Sequence, residues 1–269
     1  MSERLTLQQA ADRLGVHYMT AYRYVRLGKL QATKDGSTWV VEADDVNALL
    51  SRGTAPAEPG SARWDRRLES RLLSGDEAAA WSVVESALAS GGTPRSVYEK
   101  MIGPAMRRIG IGWENGTLDV ADEHLATLSV MRIIGRLSPQ FNRRGRTRGS
   151  IIVAAAPGDH HVIATMMLGD LFREAGYDAV DLGAAVPPAS LARMVAATDR
   201  LVGVALSASM PGNEQAIRDA VAAAHAAAPT TVVLGGPAIR DAAHALSLGA
   251  DAWAADAEGA IAAFAPQET

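Results

Sequence analysis

From residue 150 onward, short unbroken apolar runs alternate with segments whose apolar residues recur every three or four positions. Ile151–Ala155, Ala179–Leu182, Leu201–Leu206, Thr231–Leu234 and Ala252–Ala254 read as strands. Val162–Ala175, Pro188–Ala197, Glu214–Ala227, Ala238–Leu248 and Ala257–Phe264 read as helices. Strands that do not alternate apolar with polar are buried on both faces, and strict strand–helix alternation makes the sheet parallel. Residues 150–269 are therefore expected to form an α/β flavodoxin-like domain, a doubly wound five-stranded parallel sheet. Upstream, residues 62–140 carry a helical period throughout. Four helices are expected near 64–73, 76–90, 93–112 and 118–138, a four-helix bundle with Asp76 and Thr93 as N-caps and Pro94 opening the third helix.

Residues 1–52 have a third pattern. Thr6 is placed to cap a helix whose apolar face is Leu7, Ala10, Ala11 and Leu14. Gly15 follows as a turn, then a second helix from about Tyr18 to Leu27 that buries Ala21 and Val25. A hairpin with Asp35-Gly36 at its tip and a closing helix complete a winged helix-turn-helix. The chain thus reads as multidomain: 1–52, 62–140 and 150–269. "SRGTAPAEPGSAR" (51–63) and the basic, glycine-containing stretch 141–149 are the linkers.

Composition narrows the function. Of 269 residues 48% are hydrophobic but only 5% aromatic, so the cores are built from small aliphatic side chains. A formal charge of −4 argues against the whole chain binding polyanions, though a basic module can hide within it. There is no cysteine, which excludes disulfides, thiolate metal sites and cysteine nucleophiles. Without a basic-then-apolar leader or a membrane-length apolar run, the chain is expected to be soluble and cytoplasmic, with no membrane partner.

Ligands of doubly wound sheets bind beyond the carboxyl ends of the strands. Three loops converge there: Asp159-His160-His161, Ser207-Ala208-Ser209 and Gly235-Gly236. Asp159, two residues before His161, can hydrogen-bond one ring nitrogen, fix the tautomer and leave the other nitrogen free for a metal. With at most two protein ligands and no thiolate, a caged structural zinc does not fit. A metal that brings its own macrocycle does. His160 reads as a solvent-facing loop residue.

"GDHHVIATMMLGDLFREAGYDAVDLGAAVPPASL", followed by Ser207, Ser209 and Gly235-Gly236, resembles the cobalamin-binding domains of methionine synthase-like and corrinoid proteins. Their signature is Asp/Glu-x-His-x-x-Gly, then Ser-x-Leu, then Gly-Gly. The resemblance covers about 120 residues in order. It implies a base-off cobalamin with His161 as the lower axial cobalt ligand and Asp159 behind it. Val162, Ala164, Ser207, Ser209, Gly235 and Gly236 would line the cofactor cleft. Two positions depart from the pattern: Ala164 replaces the glycine of the first motif, and Ser209 replaces the leucine of the second.

In the bundle, "GWENGTLDVADEHLATL" sets Trp113, Glu123 and His124 apart from the apolar pattern. By pattern alone this is a bundle tryptophan beside a polar helix face. Trp, nine residues, then Glu-His is, however, similar to the cap of the CarH/LitR-type light-dependent repressors. That resemblance implies that Trp113 covers the upper corrin face and that Glu123 and His124 lie beside a 5′-deoxyadenosyl group. A flat aromatic suits such a place because it excludes water without needing a polar partner. Adenosylcobalamin is the favoured cofactor and methylcobalamin the alternative. Glu114 stands where the light-dependent members carry a histidine, so a bis-histidine photoproduct through that position is not available here.

The N-terminal segment resembles the excisionase and MerR-like winged helix-turn-helix. Tyr18, Met19, Thr20, Tyr22, Arg23 and Arg26 fall on or near the exposed side of the second helix, with Lys34 at the wing. A basic face on an acidic protein is the footprint of a DNA reader; a small helical protein-interaction module is the alternative. Together these features point to a non-enzymatic, cobalamin-dependent transcriptional regulator, a light-responsive repressor. Its expected partners are a double-stranded DNA operator and copies of itself, as a dimer or tetramer. The alternatives are a regulator that senses cobalamin without photochemistry and, in a different class, a corrinoid methyl-carrier subunit of a methyltransferase.

Overall fold

The computed structural model describes residues 4–14, 18, 21, 22, 25, 30–36, 38–52 and 63–265. They divide into two units, 1–62 and 63–269, each with its own core.

The first unit holds β1 (Arg4–Thr6), α1 (Leu7–Leu14), β2 (Ala32–Asp35), β3 (Thr38–Glu42) and α2 (Ala43–Arg52). Thr6 caps α1 as expected. Its hydroxyl accepts from the Gln9 amide at 3.2 Å, while the Gln9 side chain accepts from the Thr6 amide at 2.8 Å, a reciprocal capping pair. The β2–β3 hairpin turns at Gly36, whose φ of +61° a side chain would resist. The short strand β1 was not foreseen; it pairs antiparallel to β3 through Arg4–Thr6. Three residues are too few to show a period of two.

The second unit opens with the bundle: α3 (Trp64–Leu73), α4 (Glu77–Ala89), α5 (Pro94–Val97), a π-helical turn (Tyr98–Ile102), α6 (Gly103–Glu114) and α7 (Val120–Leu137). Asp76 and Thr93 cap α4 and α5, accepting from the amides of Ala79 and Ser96. The expected single third helix is thus interrupted. Pro104 has no N–H to offer the carbonyl four residues back. The Gly103 amide bonds the Tyr98 carbonyl five residues back, which widens the turn. That widening carries Tyr98 into the core. Its ring stacks on Phe141 at 4.8 Å, and its hydroxyl donates to Asp170 at 2.6 Å.

The sheet domain runs β4 (Ser150–Ala155), α8 (Val162–Glu174), β5 (Asp178–Asp181), α9 (Pro188–Ala197), β6 (Leu201–Ser207), α10 (Glu214–Ala227), β7 (Thr231–Gly235), α11 (Ala242–Ser247), β8 (Ala252–Ala254) and α12 (Ala257–Ala263). All pairings are parallel, in the order β5-β4-β6-β7-β8. This is the doubly wound five-stranded sheet expected from the sequence. β4 is buried along its whole length, with one apolar cluster on each face of the sheet. The helix expected over Ala238–Leu248 begins later, at Ala242. The amides of Ala238 and Ile239 are spent on the Ala208 and Gly236 carbonyls, and Asp241 then caps the helix through the His244 amide at 2.7 Å.

The bundle rests on α8. Ile163, Met166 and Met167 pack against the bundle core that holds Leu68, Tyr98, Ile102, Ile134 and Leu137. Buried Asp170 accepts from Tyr98, from the Ser138 hydroxyl at 2.7 Å and from Arg173 at 2.8 Å. A three-donor shell of this kind makes a buried carboxylate tolerable and fixes the two halves in register. Burial pushes the Tyr98 hydroxyl well above its ordinary range, and the Asp170 carboxylate adds to the shift.

Candidate functional site

The strand order reverses between β4 and β6, and the loop leaving β4 carries Asp159, His160 and His161. Asp159 is 1% exposed. Its main chain is held at both ends: its amide donates to the Ala156 carbonyl at 2.9 Å, and its carbonyl accepts from Ala185 at 2.8 Å. Ala185 adopts φ +51°, a costly conformation for alanine, so the β5–α9 loop is held against this site by its surroundings.

The Asp159 carboxylate has three partners. One oxygen lies 2.7 Å from His161 Nδ1 and accepts the His161 amide at 3.0 Å. The other accepts the Ser209 amide at the end of β6. Burial alone would push this carboxyl up, but the bonds from the His161 ring and from the Ser209 and His161 amides hold it below the ordinary carboxylate range. The same contact raises the His161 imidazole: the Asp159 hydrogen bond outweighs burial, and the Asp159 and Glu123 charges add to it. In the neutral ring, an Nδ1–H facing the carboxylate leaves the lone pair on Nε2, and the ring is half exposed. This is the donor arrangement a metal-binding histidine needs.

The remaining candidates of the sheet domain sit on the same edge. Val162 and Ala164 lie on the first turn of α8, with Ala164 exposed. Ser207 is buried and Ser209 half-buried, and Ser209 enters through its main chain rather than its hydroxyl. Gly235 and Gly236 bring β7 against β6: the Ala208 amide donates to Gly235 and the Ala238 amide to Ala208. A Cβ at Gly236 would lie 2.4 Å from the Ala208 carbonyl, at a φ of +97°. His160 is exposed and has no bond to any described residue.

From the bundle, Trp113 is the penultimate residue of α6 and is 41% exposed, while Glu123 closes the first turn of α7 and His124 follows it. Thr127, which sequence reasoning missed, donates to Glu123 at 2.6 Å and fixes its carboxylate. The other Glu123 oxygen is 3.7 Å from His124 Nε2, and His124 is otherwise open to solvent. The Glu123 charge also favours the charged His161 ring, so the bundle's acidic position acts on the histidine loop. Among the described residues no cluster of three or more His, Cys, Asp or Glu side chains is placed to cage a metal ion. One imidazole on a buried carboxylate, small-residue loops and an exposed tryptophan are the residues a corrin-held cobalt would use.

In the first unit, Tyr18 is exposed and Lys34 is exposed on β2. Tyr22 reaches less far into solvent than expected. Its ring stands edge-on to Trp39 with centroids 6.3 Å apart, on the rim of the module's core. Met19, Thr20, Arg23 and Arg26 lie outside the described residues. No helix among the described residues is long and apolar enough to cross a membrane.

Comparison with known proteins agrees with this geometry. Residues 64–138 and 149–265 each match a family described as B12 binding domain, and residues 4–54 match a helix-turn-helix domain. Trimethylamine corrinoid protein 1 of Methanosarcina mazei is 30% identical over 115 residues, 42% of this chain and 53% of that one. The HTH-type transcriptional repressor CarH of Myxococcus xanthus is 27% identical over 151 residues, 55% of this chain and 49% of the repressor. The chain thus spans about half the length of these relatives. The Methanosarcina barkeri monomethylamine corrinoid protein superposes with a TM-score of 0.65 at 21% identity, covering 75% of this chain and 96% of its own, which is a likeness of fold. The excisionase of Mycobacterium phage D29 is 43% identical over 51 residues, 19% of this chain and 91% of the excisionase. Residues 4–54 therefore belong to the excisionase-type helix-turn-helix family, and residues 64–138 and 149–265 each resemble a B12 binding domain.

Proposed function

We propose that this chain is a cobalamin-dependent transcriptional regulator, and more finely a light-responsive repressor that uses adenosylcobalamin. The observation that carries the reading is His161: its Nδ1 is tied to a buried carboxylate and its Nε2 is free, in a chain that opens with a helix-turn-helix. His161 would hold the cobalt through Nε2, and Asp159 would fix its tautomer and strengthen it as a donor. Gly235 and Gly236, which let the backbones of β7, β8 and the Ala208 loop approach closely, would line the cofactor site with Ser207 and Ser209, and Trp113, Glu123 and His124 would meet it from the bundle. When bound, adenosylcobalamin supplies a cobalt–carbon bond that light breaks.

Regulation then needs an energy difference between assemblies, not binding alone. A single small helix-turn-helix binds DNA weakly, and several held on one oligomer bind tightly through effective concentration. A dark dimer or tetramer that changes on illumination converts cofactor state into operator occupancy without any enzymatic step. The likeness to corrinoid proteins keeps a methyl-carrier reading in view, and Glu114 supports a regulator that senses cobalamin without photochemistry. The helix-turn-helix counts against the methyl carrier.

The test is to load the full chain with adenosylcobalamin in the dark and then illuminate it, following oligomer mass and binding to its own promoter. Changes in both on illumination fit the light switch. A cofactor-dependent change that ignores light fits the non-photochemical regulator, and no DNA binding in any state contradicts both.

A further inference from the structure

The loop joining the bundle to the sheet, residues 142–148, reads NRRGRTR. Arg143, Arg144, Arg146 and Arg148 are all exposed. The first three make no hydrogen bond or ion pair with any described residue. The loop backbone is nevertheless built in place. The Arg148 amide donates to Gly176 at 2.8 Å, and its guanidinium lies 5.8 Å from the Tyr177 ring centre. Arg200 donates to the Thr147 carbonyl at 2.6 Å. At Gly149, φ is +139° and a Cβ would sit 2.5 Å from Val202.

These side chains line an open cleft of about 370 Å³ with Arg173, Tyr177 and Asp178. Arg173 is already paired with Asp170, so Asp178 is the one unpaired carboxylate facing four arginines. The surroundings make the surplus notable. Residues 63–269 carry 19 Lys and Arg against 23 Asp and Glu, and residues 1–62 carry 7 against 7. The basic face of the helix-turn-helix unit is therefore matched by as many acidic residues elsewhere in that unit, whereas this loop concentrates four arginines with no acidic residue among them.

We propose that Arg143, Arg144 and Arg146 form a second DNA contact, an electrostatic clamp on the phosphate backbone that acts without regard to sequence. The inference rests on the DNA-binding reading above. Guanidinium rather than ammonium suits phosphate oxygens because its planar fork bonds two of them at once. The side chains project to solvent around an open cleft, which fits an extended polyanion better than an enclosed small anion. The loop precedes β4, whereas His161 follows it, so the clamp and the cofactor site lie at opposite ends of that strand.

The experiment compares the full chain, loaded with adenosylcobalamin in the dark, with its R143Q/R144Q/R146Q variant. Two fluorescent duplexes serve as probes, one of mixed sequence and one carrying the chain's own promoter, titrated between low and physiological salt. Each phosphate contact contributes about 0.9 to the slope of log affinity against log salt, so the variant's slope should fall by about 2–3. Its affinity for both duplexes should drop at least tenfold, with cobalamin binding unchanged. An unchanged slope, or unchanged affinity for the mixed duplex, overturns the proposal. A wild-type chain that shows the slope difference but no preference for its promoter supports the clamp while contradicting the regulator. A wild type that binds neither duplex overturns both.

Discussion

Replacing Asp159 by Asn keeps the size of the side chain and removes its charge. The carboxylate accepts from the His161 ring, the His161 amide and the Ser209 amide. Asn can offer one carbonyl oxygen to His161, but its amide then turns a donor toward the Ser209 N–H. A buried donor left unpaired costs about 1–3 kcal/mol, and a hydrogen bond to a charged acceptor contributes about 1.5–3 kcal/mol. Unfolding by urea should therefore show a loss of roughly 2–3 kcal/mol. Cofactor affinity should fall as well, because a neutral carbonyl replaces the charged partner that strengthens the ring as a donor. Such outer partners typically contribute 10- to 100-fold in metal affinity, about 1.4–2.7 kcal/mol. Absorbance titration with adenosylcobalamin in the dark measures this directly. Asp251→Asn is the control: it also breaks a carboxylate that bonds a histidine, His225 at 2.9 Å, and the Val232 amide, but away from the candidate site. If Asp159→Asn loses stability yet binds cobalamin within twofold of wild type, Asp159 is only a loop staple and the reasoning fails.

Gly236→Ala should destabilise by more than about 2 kcal/mol and weaken cobalamin binding, because its Cβ would meet the Ala208 carbonyl at a φ that alanine resists; thermal melts and the same titration check both. Tyr98→Phe removes one of three donors to buried Asp170 and should cost about 1.5–3 kcal/mol, measured in urea, with little effect on cofactor affinity. Asp159 also shapes the acid limb of stability. Its folded pKa is lowered, so its contribution is present above the ordinary carboxylate pKa of about 4 and is lost as pH falls through the folded value. Asp159→Asn should flatten that limb in stability measured against pH. His161 works in the opposite sense: its raised pKa gives stability that is full below about pH 6.5 and fades as pH rises through the folded value.

The parallel sheet was legible because buried strands and amphipathic helices differ in period, and each strand begins within one residue of where the pattern placed it. The Asp159–His161 contact was legible because a carboxylate two residues before an imidazole can reach its ring, and the resemblance singled out that pair among the polar loop residues. The π-helical turn was not, since one extra residue in a helical turn hardly disturbs an apolar stripe. The Ser209 contact was hidden for another reason: it is made by a backbone amide, which every residue but proline possesses. Asp170 was passed over as one polar residue in an apolar helix, and its partners come from two segments of the bundle, 72 and 32 residues away. Thr127 escaped because its function is to hold Glu123, four residues earlier on the same helix, rather than to meet a ligand.

The central claim is that His161 Nε2 ligates cobalt. The direct measurement is electron paramagnetic resonance of the chain loaded with cobalamin and reduced to paramagnetic cobalt(II), prepared with and without nitrogen-15 histidine. A nitrogen-14 axial ligand splits each cobalt line in three, and nitrogen-15 splits it in two. The account predicts that labelling histidine converts triplets to doublets and that His161→Ala abolishes the change. Triplets that persist in the labelled protein would mean the cofactor's own base holds the lower position, which contradicts the assignment of His161.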